Sequence, residues 1–290
     1  MVPSVGKVVL NNTCSVDSVL SILATSAADS SNFKVYLSEM ATSNMTARIS
    51  MQMIEDKNKT QIYHNRLLLI LEHFGSKIEL LVGGLKSVDT TITAASMVNK
   101  IMQKMPSFIE SSFCDNNLCT TPILEVKKTH ISLNIFNGQI VIQNELEKLF
   151  ESSDETCSYC GEKRKTSMEA TTHMIIELNS IPFDLEASTS FTNIDEVPVE
   201  LVKQNFVKPN NWKLDNIPKM ITTNSKNYYL RGVIIFHGGG RCGLRSATGH
   251  YTAGTYRGNQ KWEIYDDLRS KVIHQVSSYK TDVELLFYTV

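Results

Sequence analysis

The 290-residue sequence predicts an α+β fold with an antiparallel sheet. Three observations carry that expectation. Apolar residues recur at helical spacing through the first hundred positions, strand-like alternation fills the last sixty, and two close pairs of cysteines lie between. The length admits one large domain or two modest ones, with ample material for a core.

Apolar residues make up 42% and charged residues 20%, and the net charge of −1 exerts no whole-chain pull on nucleic acid or a membrane surface. The opening MVPSVGKVVL lacks a sustained apolar run and a cleavage site, so it does not read as a signal peptide. The longest strongly apolar stretch, LLLIL at 67–71, is far too short to cross a bilayer. These features predict a cytoplasmic or nuclear location, where cysteines bind metal or catalyse more often than they pair.

In chain order, a helix is predicted from Cys14, because Val16, Val19, Leu20, Ile22 and Leu23 recur at helical spacing after Asn12 or Thr13 as N-cap. Further helical patterns cover 33–41, 46–56, 62–74 and 88–105; Pro106 stops the last, and Gly83-Gly84 separates two of them. THISLNIFNGQIVIQ alternates on both sides of Asn137-Gly138, which predicts a hairpin with a type I′ turn. NELEKLFES (144–152) reads as a short amphipathic helix and THMIIELN (172–179) as a strand. Residues 182–227 place Pro182, Pro198, Pro209 and Pro218 among polar residues and read as long loops. The sheet comes from YYLRGVIIFH, GHYTAGTYR, QKWEIYDD and VELLFYTV.

FCDNNLC and TCSYCGEKRK set Cys114 with Cys119 and Cys157 with Cys160, four of the six cysteines in two short pairs. The second pair, followed by Gly161, has the form of a zinc knuckle, and four thiolates make a closed structural zinc site. A redox pair at 157/160 and unrelated buried thiols are the other readings. The basic run EKRK (162–165) beside the knuckle is a solvated face; without a basic stripe the pattern gives no nucleic-acid partner.

Cys14 and Cys242 remain. Cys242 lies in the glycine-rich HGGGRCGLRSATGHY, whose Gly238-Gly239-Gly240 reads equally as a mobile cover or a plain loop. Cys14 opens a helix, where the dipole favours a thiolate; the bland alternative is a small buried hydrophobe. A cysteine nucleophile needs a base and an acceptor that orients the base. Among seven histidines, His250 opens a strand directly after Gly249, and antiparallel pairing across RGNQ brings position 250 near 266. Asp266 is then placed to hold the imidazole, with Asp267 in reserve. His64, His73 and His130 read as ordinary packing residues, and His173, His237 and His274 show no acid partner.

NNTCSVDSVLSIL, the paired cysteines and GHYTAGTYRGNQKWEIYDD, in that order, resemble the ubiquitin-specific protease family of cysteine peptidases. The resemblance runs from about residue 7 to the C-terminus. It implies a papain-like fold with a helical thumb (1–105), zinc-bearing fingers (106–180) and an antiparallel-sheet palm (181–290) in one catalytic domain. It carries Cys14 over as nucleophile, His250 as general base and Asp266 as orienting residue, with structural Zn2+ on Cys114, Cys119, Cys157 and Cys160. Gly249 and Tyr251 would flank the channel for a modifier tail. The implied reaction is hydrolysis after the C-terminal glycine of ubiquitin, SUMO or another Gly-Gly-ended modifier.

Four positions depart from the family pattern. Val9 stands where the family has an oxyanion-stabilising asparagine, five residues before the nucleophile, which leaves Asn11, Asn12 or backbone N–H groups for that task. Asn11 replaces a glycine, Ser15 an aromatic residue and Asp17 an asparagine. Such divergence in a compact chain is similar to the SUMO-specific branch of USP-like isopeptidases. The competing reading is an inactive module that keeps fold and zinc and binds ubiquitin or SUMO.

Overall fold

A computed structural model describes residues 6–55, 58–136, 141–181, 211–238 and 249–290. The helices are α1 (Cys14–Asp29), α2 (Ser31–Met40), α3 (Met45–Glu55), α4 (Lys59–Phe74), α5 (Ala94–Ile101) and α6 (Ile142–Phe150). The strands open with β1 (Val8–Asn11), β2 (Ile78–Leu80) and β3 (Lys86–Asp89). Next come β4 (Phe108–Cys114), β5 (Ile123–Lys128), β6 (Ile131–Phe136), β7 (Ser153–Thr156), β8 (Lys163–Ala170) and β9 (His173–Ile181). The chain closes with β10 (Trp212–Lys213), β11 (Met220–Thr223), β12 (Lys226–Gly238), β13 (Gly249–Tyr256), β14 (Trp262–Tyr265), β15 (Ile273–Gln275), β16 (Lys280–Thr281) and β17 (Val283–Thr289). The predicted α+β class is what forms.

The central sheet runs β15-β14-β13-β12-β17-β9-β6, with β11 paired to the first residues of β12, ahead of the stretch that pairs with β13. Its long strands are apolar on both faces: Val283 to Thr289 are all buried, as are Tyr251 to Thr255. Alternate residues therefore feed two cores. Leu285, Phe287, Ile234 and Ala253 join the helices, where Val19, Leu23, Phe33, Ile49 and Met97 are buried. Leu286, Tyr288, Val233 and Ile235 face a second core with Trp262, Tyr228 and the α6 residues Ile142 and Leu146. Helix α1 is buried along most of its length because it lies between the other helices and the sheet. No helix among the described residues is long and apolar enough to cross a membrane.

Two sequence expectations give way to tertiary pairing. The pattern at 88–105 forms a helix only over Ala94–Ile101, because Val88 is buried in β3, which pairs parallel with β1. Gly83 and Gly84 do separate two helices, α4 and α5, and take left-handed backbone (φ 81° and 74°) between the intervening strands β2 and β3. The expected hairpin over 129–143 is replaced. Its turn, Asn137-Gly138, lies outside the described residues, as do Cys242 and Gly239-Gly240. β6 pairs parallel with β9, and Ile142 and Leu146 use helical i,i+4 spacing to bury one side of α6. Most of the proposed loop at 182–227 is likewise undescribed, though Trp212–Lys213 and Met220–Thr223 are strands.

The second sheet, β5-β4-β8-β7, is antiparallel and carries both cysteine pairs. Its near end is anchored: Phe108, Met168 and Ala170 belong to the second core. Its far end is thin. Phe113, Ile123 and Leu124 are exposed there, and the only buried cluster among its described residues is formed by the cysteines.

Candidate active site

Helix α1 starts at Cys14, after Thr13 with helical backbone and no side-chain cap on the helix N–H groups. Thr13 Oγ1 instead donates to Asp17 Oδ2 at 2.8 Å. Arg66, on α4, donates through Nε to Asp17 Oδ1 at 2.6 Å and through Nη2 to Asp17 Oδ2 and Thr13 Oγ1, both at 2.5 Å. The first turn of α1 is thus held by a guanidinium from another helix. The first-turn backbone donors stay uncapped.

Cys14 is half-buried, and its sulfur faces the backbone N–H groups of Tyr251 and Ser15. Burial pushes the thiol above its ordinary value; those two N–H groups pull against it, and the Asp267 and Asp17 carboxylates reinforce it. The helix dipole alone would lower a thiol pKa, but here desolvation wins. Burial against β13 thus favours the neutral thiol.

β13 supplies that neighbourhood. Pairing of Ala253 with Tyr265 carries His250 past the end of β14, where Nε2 lies 2.8 Å from Asp266 Oδ1 and 3.6 Å from Asp267 Oδ1. Of the two adjacent acids, Asp266 makes the hydrogen bond. With Nε2 engaged, Nδ1 is the nitrogen left for proton exchange. Burial works to raise the Asp266 carboxyl, but bonds from His250, the Leu268 N–H and Arg269 outweigh it and hold the group below the ordinary value. Asp267 goes the other way, raised by burial and by Asp17.

Tyr251 is held at both ends. Its ring lies 5.1 Å from that of Phe236, and its hydroxyl donates to Glu284 Oε2 at 3.0 Å. Glu284 is fully buried and also accepts the Ala95 N–H at the start of α5. The Tyr251 side chain therefore sits in the core, and only its backbone faces Cys14. Gly249 is required by packing: a Cβ would come within 2.2 Å of the Phe236 ring. Gly249→Ala is expected to displace Phe236 and cost about 1–3 kcal/mol, read by urea denaturation.

Asn11 and Asn12 are each tied to β3. Asn11 Nδ2 donates to Ser87 Oγ at 2.8 Å, and Asn12, in left-handed backbone, donates to Asp89 Oδ1 at 2.9 Å. Val9 is 39% exposed on β1. Two neighbours were invisible to sequence reasoning. Arg66 is one. His237, directly across from His250 on β12, is the other; its ring lies 6.2 Å from His250 and its Nε2 2.9 Å from Thr252 Oγ1. Its position at the end of a strand was the available signal, but only the register shows what it faces. His173 is wholly buried between Phe33 and Phe287, and desolvation drives its pKa down to about 3.

The four clustered cysteines converge as their spacing predicts. Their sulfurs lie within 4.8 Å of one another, with Cys114–Cys160 at 3.4 Å and Cys119–Cys157 at 3.8 Å. A tetrahedral zinc with Zn–S near 2.3 Å sets its sulfurs about 3.8 Å apart, so the donor set fits. Gly161 takes φ +78° after the second pair, and its N–H bonds the Cys157 carbonyl. Arg164 lies buried beside Cys157 and donates to Ser112 Oγ and the Thr121 carbonyl.

A thiol against a strand that opens on a histidine–aspartate pair, with a four-cysteine ribbon set apart, is matched by one family model. Residues 5–288 match the model for ubiquitin carboxyl-terminal hydrolase. The chain belongs to that family. A curated relative, a 120.7 kDa protein in the NOF-FB transposable element of Drosophila melanogaster, is 23% identical over 98% of this chain. The chain spans 25% of that relative's length. Among solved structures, the SAGA Ubp8/Sgf11/Sus1/Sgf73 DUB module contains a chain that superposes with a TM-score of 0.52 at 13% identity, covering 98% of this chain and 67% of the other. A form of that module with truncated Sgf11 gives 0.50 at 14% identity, covering 96% and 67%. At these identities the likeness is one of fold alone.

Proposed function

We propose that this chain is a cysteine isopeptidase that cleaves after the C-terminal glycine of ubiquitin. Cys14 is the nucleophile, His250 the general base and Asp266 the residue that orients it. One observation carries this reading: the Cys14 sulfur faces the N–H of Tyr251, the residue after His250, whose Nε2 is bonded to Asp266. Family membership supplies the substrate class.

In this reading His250 Nδ1 takes the Cys14 proton as the sulfur attacks the glycine carbonyl. The uncapped N–H groups at the start of α1 receive the developing oxyanion, in place of the asparagine absent at Val9. Collapse of the tetrahedral adduct expels the lysine amine, which is protonated by His250. Water, deprotonated by His250, then hydrolyses the thioester. Gly249 and the Tyr251 backbone border the path of the modifier tail. Cys114, Cys119, Cys157 and Cys160 hold Zn2+, which supplies a cross-link to the ribbon and no chemistry.

The same reading assigns 1–105 to a thumb, 106–180 to fingers and 181–290 to a palm, with β6 and β9 of the middle stretch entering the large sheet. It places the protein in the cytoplasm or nucleus. A second reading, binding of the modifier without turnover, is favoured by Val9 and by the raised Cys14 thiol.

The deciding experiment uses ubiquitin and SUMO probes ending in a C-terminal electrophile. Labelling of Cys14 by ubiquitin supports the proposal. Labelling by SUMO alone transfers the activity to that modifier, and binding without labelling or turnover gives the second reading. For the orienting acid, Asp266→Asn is expected to lower kcat on a fluorogenic ubiquitin amide by about 10²- to 10⁴-fold, through loss of the correct imidazole tautomer. Asp267→Asn is expected to change it less than about tenfold, because it makes no close bond to the ring. Equal large losses would mean that the imidazole depends on both acids, and two small losses that either can serve.

A further inference from the structure

The family's asparagine three residues after the nucleophile is Asp17 here, a carboxylate one helical turn from the reacting sulfur. Uncompensated, it opposes thiolate formation. It is compensated by a residue far away in sequence. Arg66 grips both Asp17 oxygens, at 2.6 and 2.5 Å, and Thr13 Oγ1 at 2.5 Å, with the two side chains only 16% and 21% exposed. This is a paired fork rather than a passing surface contact.

We infer that Arg66 is a positioning residue for the Cys14 reaction, cancelling the Asp17 charge and holding the Thr13–Asp17 turn in place. The inference rests on the assignment of Cys14 as nucleophile. It explains how this chain tolerates an acid where its family has an amide. Among the described residues, Asp267 beyond β14 and Asp17 both act to raise the thiol, and Asp267 lies beside His250 on β13 and its partner Asp266. Asp17 is the one with a bidentate cationic partner.

The test reads the thiol and needs no modifier. The rate of iodoacetamide alkylation is followed against pH on the Cys14 peptide by mass spectrometry, in the folded full chain. Arg66→Met leaves Asp17 uncancelled, and the Cys14 pKa is expected to rise by about one unit. Alkylation at neutral pH then slows about three- to fourfold, since the more basic thiolate is also more nucleophilic. Asp17→Asn leaves Arg66 uncancelled, and the pKa is expected to fall by a similar amount. The double variant returns close to the parent.

Opposite shifts that cancel establish charge compensation, because mere loosening of the turn moves both single variants the same way. Shifts of one sign, or none, overturn the inference. If Arg66→Met does not fold, Arg66→Lys is measured instead: an unchanged pKa supports compensation, and a rise equal to that expected for the methionine variant overturns it. The electrophile probe reports separately on the isopeptidase assignment. Normal shifts with no labelling would sink that assignment and leave the charge pair standing.

Discussion

Cys14→Ala is expected to abolish labelling by a ubiquitin electrophile and to lower turnover of a ubiquitin C-terminal amide by about 10⁴-fold or more. The loss should be chemical rather than structural. Cys14 is half-buried at the edge of the helical core, so removing its sulfur opens little space and should change stability by less than about 1 kcal/mol. Cys14→Ser sharpens the comparison, because a hydroxyl keeps the contacts to the Tyr251 and Ser15 N–H groups. A hydroxyl is a far weaker acid and a poorer nucleophile than a thiol, and it is shorter than the sulfur around which this site is set, so the serine variant should be nearly as inactive and fully folded. Both variants should still bind ubiquitin. Persistent labelling in Cys14→Ala would remove the residue from the mechanism.

The second large effect belongs to the ribbon. Chelation of the zinc proposed for it, or Cys157→Ser, is expected to unfold the far end of β4, β5, β7 and β8 while the central sheet stays intact. That end has almost no apolar core: every β5 residue from Ile123 to Lys127 is exposed, and the four sulfurs are its packing centre. Structural zinc on four thiolates contributes about 10–16 kcal/mol of apparent binding energy, more than such a sheet gains from strand pairing alone. The purified protein should contain one zinc per chain by elemental analysis. Limited proteolysis should open 115–122 and 157–162 on chelation, with the melting of the helical core little changed. Unaltered protection after metal loss would show that the strands hold themselves.

These two results also mark what could be read early. The Cys14 helix was legible because an amphipathic pattern of apolar residues needs only local spacing, and the cysteine pairs because ligand spacing is local too. The His250–Asp266 contact was reachable by one further step, a short hairpin whose turn length sets the register. Beyond that distance local pattern failed. IVIQ after Asn137-Gly138 has strand-like alternation, yet Ile142 enters α6, because β6 finds a parallel partner in β9 some forty residues away. The 88–105 helix lost its beginning in the same way, to β1 pairing with β3.

The site shows the same division. Residue types and order determined that a thiol at a helix start, a histidine at a strand start, an acid after the next strand and a thiolate ribbon were present. Only the tertiary structure decided their electrostatic state. Burial of Cys14 against β13 reverses the shift expected from a helix start, and Arg66 from α4 reaches Asp17 across 49 positions. Asn11 and Asn12 are drawn to Ser87 and Asp89 by the β1–β3 pairing. Desolvation and charge pairing depend on what surrounds an atom in three dimensions. Spacing along a chain specifies which face a side chain occupies, and not what the opposing surface brings to it.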